Sequence, residues 1–373
     1  MKTNSTTPSC WFASLTLFVL LLGAAFSAGA VTATWNLAGG GTWNATASWT
    51  PTTIPDVNTA TVVFSKDFVT TAPTFTLDRN TAFTVNSISF QDTTTPFLGG
   101  TISVGTGTGS PGLIFAGTTP TVTTASTGAS DLTISCPVDV TAGLTKAGAR
   151  NVILSGTVTG FGSGVYNNVN AGTLEISTLN VDWTAVNKTA GAGTLKLDTL
   201  STMTVPASFS VGTGGLYLNP ASGTFAHDAT GFTKSGSGQL IFNRAATGSS
   251  TLAVSGGILG YYAGVSGFSS GTVASGATLQ VGTTTTLMPL TLNGNGSAYS
   301  LEFPLNNTTT FNFGGISISG DVIIRVYGLI DTFNFPSAIT SSGANSLTFR
   351  TEGGNTSGQP HTCLLYTSPS PRD

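Results

Sequence analysis

The sequence predicts an all-β fold, a right-handed parallel β-solenoid with about 20–22 residues per coil and a tryptophan-rich N-terminal cap. Three observations favour this fold. Short runs rich in Val, Ile, Leu, Thr and Phe alternate with turns of Gly, Asn, Ser and Thr. Apolar strand positions recur at similar intervals. Only 7% of the 373 residues are charged, whereas 48 are Gly, which suits stacked strands joined by tight corners.

The repeat is visible in one apolar position per predicted coil. Successive positions are separated by similar lengths of chain, and several follow a Gly closely, so a turn and a strand recur together as one unit. The predicted strand positions are Ile114, Ile134, Leu154, Leu174, Leu195, Leu216, Leu240, Leu259, Leu279, Leu301, Ile323 and Leu347.

A single unit of this size cannot bury its own apolar face. Stacked units pair strand on strand about 4.8 Å apart and enclose a continuous core, and parallel coils wind right-handed far more often than left-handed. Two other all-β folds fit less well. Leucine-rich repeats carry an L-x-x-L-x-L-x-x-N pattern that is absent, and a sandwich or propeller gives hairpin signals without a steady period.

The N-terminal segment 1–30 is predicted to be a signal peptide. Lys2 precedes an apolar stretch over residues 11–25, and Ala28 and Ala30 then form a small-x-small cleavage site. A membrane anchor is the alternative, but the apolar stretch is shorter than the roughly 20 residues that span a bilayer. We therefore expect export, to the extracellular space or the cell surface.

The C-terminal segment 363–373, CLLYTSPSPRD, resembles a translated sequencing adapter rather than protein. This resemblance predicts that the segment is an artefact and that the natural reading frame is cut near residue 362. We expect residues 31–100 to form the cap and first coils, and residues 101–362 to form a solenoid region truncated at its C-terminus.

Two stretches share one sequence pattern. LTKAGARNVILSG at 144–156, followed by VNAGTLEIS at 169–177, matches FTKSGSGQLIFN at 232–243, followed by VSGGILGYY at 254–262. The pattern resembles the autotransporter-associated β-strand repeat family, whose members carry L-T-K-x-G-x-G-x-L-x-L-x-G and a V-x-x-G-x-L-x-V close. The motif residues are Lys146, Gly148, Gly172, Leu174, Lys234, Gly236, Gly238 and Leu240.

The resemblance implies an exported β-helical passenger of a Gram-negative-type bacterium. It also implies a C-terminal transporter or anchor, which we expect to be missing because of the truncation, and it supplies no catalytic residue. The first copy departs from the pattern at Ala149 and Arg150, where a second Gly is usual.

Three tryptophans near the predicted mature start, Trp35, Trp43 and Trp49, match the opening of such proteins. We expect them to cap the open end of the solenoid, because an uncovered end exposes unpaired strand edges. The alternative is an aromatic platform that stacks on sugar rings.

The sequence contains no recognisable catalytic, metal-binding or cofactor-binding motif. The 15 acidic residues are scattered, and no paired-carboxylate or Ca²⁺-binding motif occurs. A net charge of −3 without a basic stripe excludes nucleic acid as a partner.

Individual residues of interest are predicted to be structural. Cys136 should be a small buried hydrophobe, and His227 should lie in a solvated turn. Lys146 and Lys234 should be exposed at turns, and Glu175 should form a surface ion pair with Lys196 one coil away.

The sequence thus favours a non-catalytic structural or adhesive surface protein, with polysaccharide or other cell-surface ligands as partners and no cofactor. The alternatives are a β-helical polysaccharide-degrading enzyme and a glycan-binding module.

Overall fold

The computed structural model describes residues 30–65, 67–68, 71–78, 80–92, 98–105, 112–124, 131–160, 168–177, 191–198, 203–219, 223–283, 286–304, 310–327, 332–335, 337–352 and 361–364. Most of the predicted signal peptide, including Ala28, and the predicted adapter tail beyond residue 364 lie outside these residues, so neither prediction is tested.

The described residues form a parallel β-solenoid, as the sequence predicts. One face is a continuous 15-stranded sheet, which we call the long sheet. With the strands numbered in chain order, its members are β2 (Gly41–Thr42), β5 (Thr74–Leu77), β8 (Gly100–Val104), β11 (Leu132–Ile134), β14 (Val152–Leu154), β17 (Thr173–Ile176), β18 (Thr194–Leu197), β21 (Gly215–Leu218), β24 (Gln239–Phe242), β27 (Ile258–Tyr261), β30 (Thr278–Val281), β33 (Tyr299–Phe303), β36 (Val322–Tyr327), β39 (Ser346–Glu352) and β40 (His361–Leu364).

The second face consists of two seven-stranded sheets. The N-terminal flank sheet contains β1 (Thr32–Trp35), β3 (Trp49–Thr50), β4 (Thr61–Phe64), β7 (Ser87–Phe90), β10 (Thr121–Thr124), β13 (Thr145–Ala147) and β16 (Asn168–Val169). The C-terminal flank sheet contains β20 (Ser208–Ser210), β23 (Phe232–Ser235), β26 (Thr251–Val254), β29 (Ser270–Val273), β32 (Leu290–Asn293), β35 (Ile316–Ser319) and β38 (Ile339–Ser341).

The third face consists of short sheets of four, four and three strands. These are β6 (Phe83–Val85), β9 (Leu113–Phe115), β12 (Val138–Asp139) and β15 (Val158–Thr159); then β19 (Met203–Val205), β22 (Phe225–His227), β25 (Ala246–Thr247) and β28 (Val265–Ser266); then β31 (Thr286–Leu287), β34 (Thr310–Phe313) and β37 (Thr332–Asn334). A 3-10 turn at Thr46–Ser48 precedes β3.

The strands alternate buried and half-buried residues because successive side chains of a strand point to opposite faces of the sheet. β18 is typical, with Leu195 and Leu197 fully buried in the solenoid and Thr194 and Lys196 directed outwards. The described pairings are parallel except for β1 with β3 and β39 with β40. Stacking therefore satisfies the backbone of one coil with that of the next.

Coil length agrees with the prediction in the middle of the long sheet and exceeds it near the N-terminus. In the middle, Leu259 pairs with Leu279 and Leu279 with Leu301, which matches the predicted period. Near the N-terminus, Phe75 pairs with Ile102 and Ile102 with Ile134, which are longer coils. The additional residues of these coils lie between their strands.

Two of the predicted strand positions lie in strands, as predicted, but their side chains are half-buried rather than part of the core. Ile114 lies in β9 on the third face, where it is half-buried between Leu113 and Phe115. Ile323 is also half-buried, because the inward residues of β36 are its neighbours Val322 and Ile324. A one-residue shift reverses which face a side chain occupies, and apolar residues on both faces of β36 hid this shift in the sequence.

Candidate binding surface on the long sheet

The three tryptophans lie inside the first coils. Trp35, Trp43 and Trp49 are each 0% exposed, and the Trp49 ring centroid lies 4.9 Å from Trp35 and 5.0 Å from Trp43. No ring face is open to a sugar, so the stacking alternative fails at these residues. Trp49 belongs to β3, which pairs antiparallel with β1 and covers the end of the N-terminal flank sheet.

Lys146 and Lys234 are fully buried, so the prediction that they are exposed at turns is wrong. Lys146 occupies an inward position of β13, level with Val122 and Val169 in the neighbouring coils. Its Nζ donates to the carbonyl oxygens of Ala147 at 3.0 Å, Gly148 at 2.5 Å and Ala171 at 3.0 Å. A buried ammonium is tolerated here because backbone carbonyls receive its three hydrogen bonds.

Lys234 repeats this arrangement in β23, further along the chain. Its Nζ donates to the carbonyl oxygens of Gly236 at 2.7 Å, Gly256 at 2.7 Å and Gly238. We call these two sites the lysine corners. In each, the lysine reaches from its own coil to the residue before Gly172 or Gly257 in the next coil. The lysine therefore joins the two halves of the sequence motif, which lie in adjacent coils.

Glycine is required at the turn beside each lysine. Gly148 and Gly236 both have a φ of 79°, a conformation that L side chains rarely adopt. A Cβ on Gly148 would also collide with the carbonyl oxygen of Thr124, and one on Gly236 with that of Val211. The other motif residues have separate roles, since Leu174 and Leu240 are fully buried in the long sheet.

Burial lowers the pKa of both corner lysines from 10.5 to about 8. The charge of Asp131 opposes this effect at Lys146. Both amines are enclosed by backbone, which assigns them a structural role in joining coils.

His227 is also buried, at 7% exposure, contrary to the predicted solvated turn. It is the last residue of β22, where its inward direction places it among Phe232, Phe242 and Phe268. Its Nε2 lies 3.0 Å from the Tyr261 hydroxyl, and burial lowers its pKa from 6.5 to about 3. Cys136 is a buried free thiol, as predicted, and burial raises its pKa to about 12.

The predicted ion pair between Glu175 and Lys196 is present on the outer face of the long sheet. The two residues are register partners in β17 and β18, and Lys196 Nζ lies 3.3 Å from Glu175 Oε2 and 2.7 Å from Asp198 Oδ2. Burial acts to lower the pKa of Lys196, but the hydrogen bonds that it donates to Asp198 and Glu175 raise its pKa above the usual 10.5 overall.

The same outer face carries a continuous polar network beyond Lys196. We call it the polar row, and it consists of Tyr217, Gln239, Tyr262, Gln280, Glu302, Arg325 and Tyr327. The strands β21, β24, β27, β30, β33 and β36 pair in succession beneath it. These side chains are neighbours because residues one coil apart in sequence stack directly in the sheet.

Hydrogen bonds connect the first part of the polar row. The Tyr217 hydroxyl donates to Gln239 Oε1 at 2.8 Å, and Gln239 Nε2 lies 3.5 Å from Gln280 Oε1. The Tyr262 hydroxyl donates to the same Gln280 oxygen at 3.2 Å, and Gln280 Nε2 donates to Glu302 Oε2 at 3.1 Å. Gln280 thus links neighbouring coils on both of its sides.

Arg325 holds the C-terminal part of the polar row. Its Nη2 lies 2.5 Å from Glu302 Oε1 and also donates to the Tyr327 hydroxyl. Its guanidinium carbon lies 4.3 Å from the ring centroids of both Tyr299 and Tyr327. Arg325 and Glu302 therefore neutralise each other's charge, and the rings of Tyr299 and Tyr327 lie beside the guanidinium.

The polar row is preorganised although it faces outwards. Gln280 and Glu302 are only 6% and 4% exposed, whereas Tyr217, Tyr262 and Arg325 are half-buried above the sheet. Burial raises the pKa of Tyr217, and burial with nearby negative charge raises that of Tyr262. The hydrogen bonds therefore hold the hydroxyl, amide and aromatic groups of the row in fixed positions.

Sequence reasoning missed the polar row. Its members lie about one coil apart in sequence and form no local motif, so only the strand register brings them together. The Glu175–Lys196 pair was predictable because the same spacing was applied to opposite charges. Applying that spacing to Tyr217, Gln280, Glu302 and Arg325 would have indicated the row.

The described residues contain no group of three or more His, Cys, Asp or Glu side chains that could hold a metal ion. Within the same part of the chain, no helix is long and apolar enough to cross a membrane. Comparison of the chain with protein-family models, with curated proteins and with solved structures gives no match. The resemblance to the autotransporter-associated repeats therefore stays a prediction from the motif residues.

Proposed function

We propose that the chain is a structural or adhesive module of an exported bacterial repeat protein. In this proposal the solenoid acts as a scaffold outside the cell, and the outer face of its long sheet contacts a polysaccharide or another cell-surface ligand. The fold supports the proposal because a solenoid extends one face over many coils without interruption.

The polar row is the observation that carries this proposal. Hydrogen bonds and an ion pair link an outward-facing set of Tyr, Gln, Glu and Arg side chains from Tyr217 to Tyr327. Fixed polar and aromatic groups on a rigid sheet lower the ordering cost of binding a ligand.

Binding without cleavage is the test of the adhesive role. The purified protein is incubated with bacterial surface material and with insoluble cell-wall polysaccharides. We expect it to sediment with at least one of them and to release no soluble sugar. Release of oligosaccharides that is abolished by Glu302→Gln would contradict the proposal and favour the polysaccharide-degrading alternative, because such chemistry requires a carboxyl group.

Export is tested separately with a reporter that is active only outside the cytoplasm. Residues 1–30 are fused to alkaline phosphatase in a Gram-negative host. We expect phosphatase activity and a processed N-terminus at Val31. A matched fusion with Ala28→Leu and Ala30→Leu should stay uncleaved, because the cleavage site needs small residues.

A further inference from the structure

We propose that the polar row binds a neutral, extended polysaccharide chain that lies along the solenoid axis. This inference rests on the proposed adhesive function and adds the class of ligand. Four properties of the row lead to it: its linear shape, its chemistry, its charge and its spacing.

The shape of the row fits a linear polymer. The row crosses six successive strands of the long sheet, from β21 to β36. At about 4.8 Å between strands, this corresponds to roughly 24 Å along the axis. The interactions from Tyr217 through Gln280 to Arg325 run in this same direction. A compact small molecule would contact only part of such a row.

The chemistry of the row fits a sugar. Tyrosine presents a flat apolar ring with a polar tip, which suits both the apolar face and the hydroxyl groups of a pyranose. Glycines lie beneath two of the rings. A Cβ on Gly215 would lie 2.8 Å from Tyr217 Cε2, and one on Gly260 would lie 3.3 Å from Tyr262 Cε1. The glycines therefore allow these rings to lie close over the sheet.

The charge of the row favours a neutral ligand. Arg325 is already paired with Glu302 at 2.5 Å and lies against two tyrosine rings, so its charge is compensated within the row. The half-buried Gln239 adds an uncharged amide to the surface of the row, and the buried Gln280 beside it is also uncharged. An acidic polymer would have to compete with Glu302 for Arg325 and would meet that carboxylate as a repulsive neighbour.

The spacing of the aromatic residues fits an extended chain. Tyr217 is in β21 and Tyr262 directly follows β27, two coils further along, whereas Tyr327 is in β36, three coils beyond β27. Two coils correspond to about 9.6 Å. In extended, equatorially linked hexopyranose chains, successive sugars are flipped and advance by a length similar to one strand spacing. Tyr217 and Tyr262 would then meet two sugars that present the same face.

Oligosaccharide binding tests the inference. The purified protein is titrated by calorimetry with neutral β-linked gluco- and manno-oligosaccharides of increasing length, and with polygalacturonate and amylose as comparison polymers. We expect affinity to rise with length until the chain spans about 24 Å of the face. We also expect the acidic polymer and the helical amylose to bind at least about tenfold more weakly.

Variants assign the binding to the row. Tyr262→Ala and Tyr217→Ala should each weaken binding about tenfold, whereas Tyr262→Phe should retain most of it because the ring remains. Thr340→Ala removes an exposed hydroxyl from the C-terminal flank sheet and serves as the matched control. Melting temperatures are measured for every variant. If Tyr262→Ala is unfolded, the inference is judged on Tyr217→Ala and on the dependence of affinity on oligosaccharide length.

The outcomes separate this inference from the proposed function. Binding that is independent of chain length, stronger for polygalacturonate, or unchanged in both alanine variants overturns the inference. Surface binding that is lost after protease treatment of the target supports an adhesive function with a protein partner and also overturns it. Cleavage of the oligosaccharides overturns the proposed non-catalytic function but agrees with a neutral polysaccharide as the ligand.

Discussion

Lysine is used in two opposite ways in this solenoid. At the lysine corners, Lys146 and Lys234 are fully buried and bonded to backbone carbonyls, and their pKa falls to about 8. On the outer face, Lys196 is 35% exposed and bonded to Glu175 and Asp198, and its pKa rises. The comparison teaches that neutral carbonyls accept hydrogen bonds from a buried lysine without compensating its charge, whereas carboxylates at the surface do compensate it.

The largest expected effect is the loss of a corner lysine. Lys146→Met and Lys234→Met each remove the donor for three carbonyl oxygens, which the methionine thioether cannot replace. We expect each variant to lower the free energy of unfolding by about 3 kcal/mol. Urea unfolding and hydrogen exchange at the adjacent coils measure this loss. An effect as small as that of Lys196→Met would contradict the corner's structural role.

Raising the pH should remove the free-energy cost of burying the charged forms of Lys146 and Lys234. The unfolded chain holds these protons up to about pH 10.5, whereas the folded protein releases them near pH 8. The unfolded state therefore binds more protons between these values, and the corner contribution to the free energy of unfolding increases with pH across this window. NMR titration of labelled lysines should find both corner lysines near pH 8 and Lys196 above 10.5.

His227 extends the comparison to a buried base that lies among aromatic rings. Its pKa is about 3 in the folded protein and 6.5 in the unfolded chain. The stability contributed by the neutral form is thus lost as the pH falls from 6.5 towards 3. We expect His227→Phe to lower the midpoint of acid unfolding by about one pH unit relative to Tyr261→Phe, measured by circular dichroism. An unchanged acid midpoint would exclude His227 as the acid-sensitive group.

The smallest effect is expected on the outer face. Lys196→Met should change the free energy of unfolding by about 1 kcal/mol or less, because exposed ion pairs are screened by solvent. The same measurement in about 1 M salt should reduce the difference further. A loss comparable to that at the corners would mean that Lys196 has a role in joining coils.

The sequence predicted the architecture because the coil period is a property of many residues at once. Strands and turns that alternate at a steady interval indicated stacked coils, and the buried Leu195, Leu216 and Leu279 confirm that part. The sequence placed Ile114 and Ile323 in strands but did not show which residues of those strands point inwards, because apolar residues occupy both faces there.

The binding surface and the lysine corners were harder to predict for a different reason. A lysine in a turn-like motif is ordinarily solvated, and burial becomes favourable only when three carbonyl groups converge from two coils. That convergence depends on the backbone path at Gly148 and Gly236. The polar row similarly depends on long-range register.

The uninterrupted long sheet has a consequence for how this molecule can change. The other two faces are divided into shorter sheets, and the coils that join Phe75 to Ile102 and Ile102 to Ile134 are longer than the coil that joins Leu240 to Leu259. Coils of different length therefore pair in the same long sheet. Insertions between strands can therefore accumulate in evolution without shifting the register of the long sheet. Single substitutions on its outer face can then alter recognition one coil at a time.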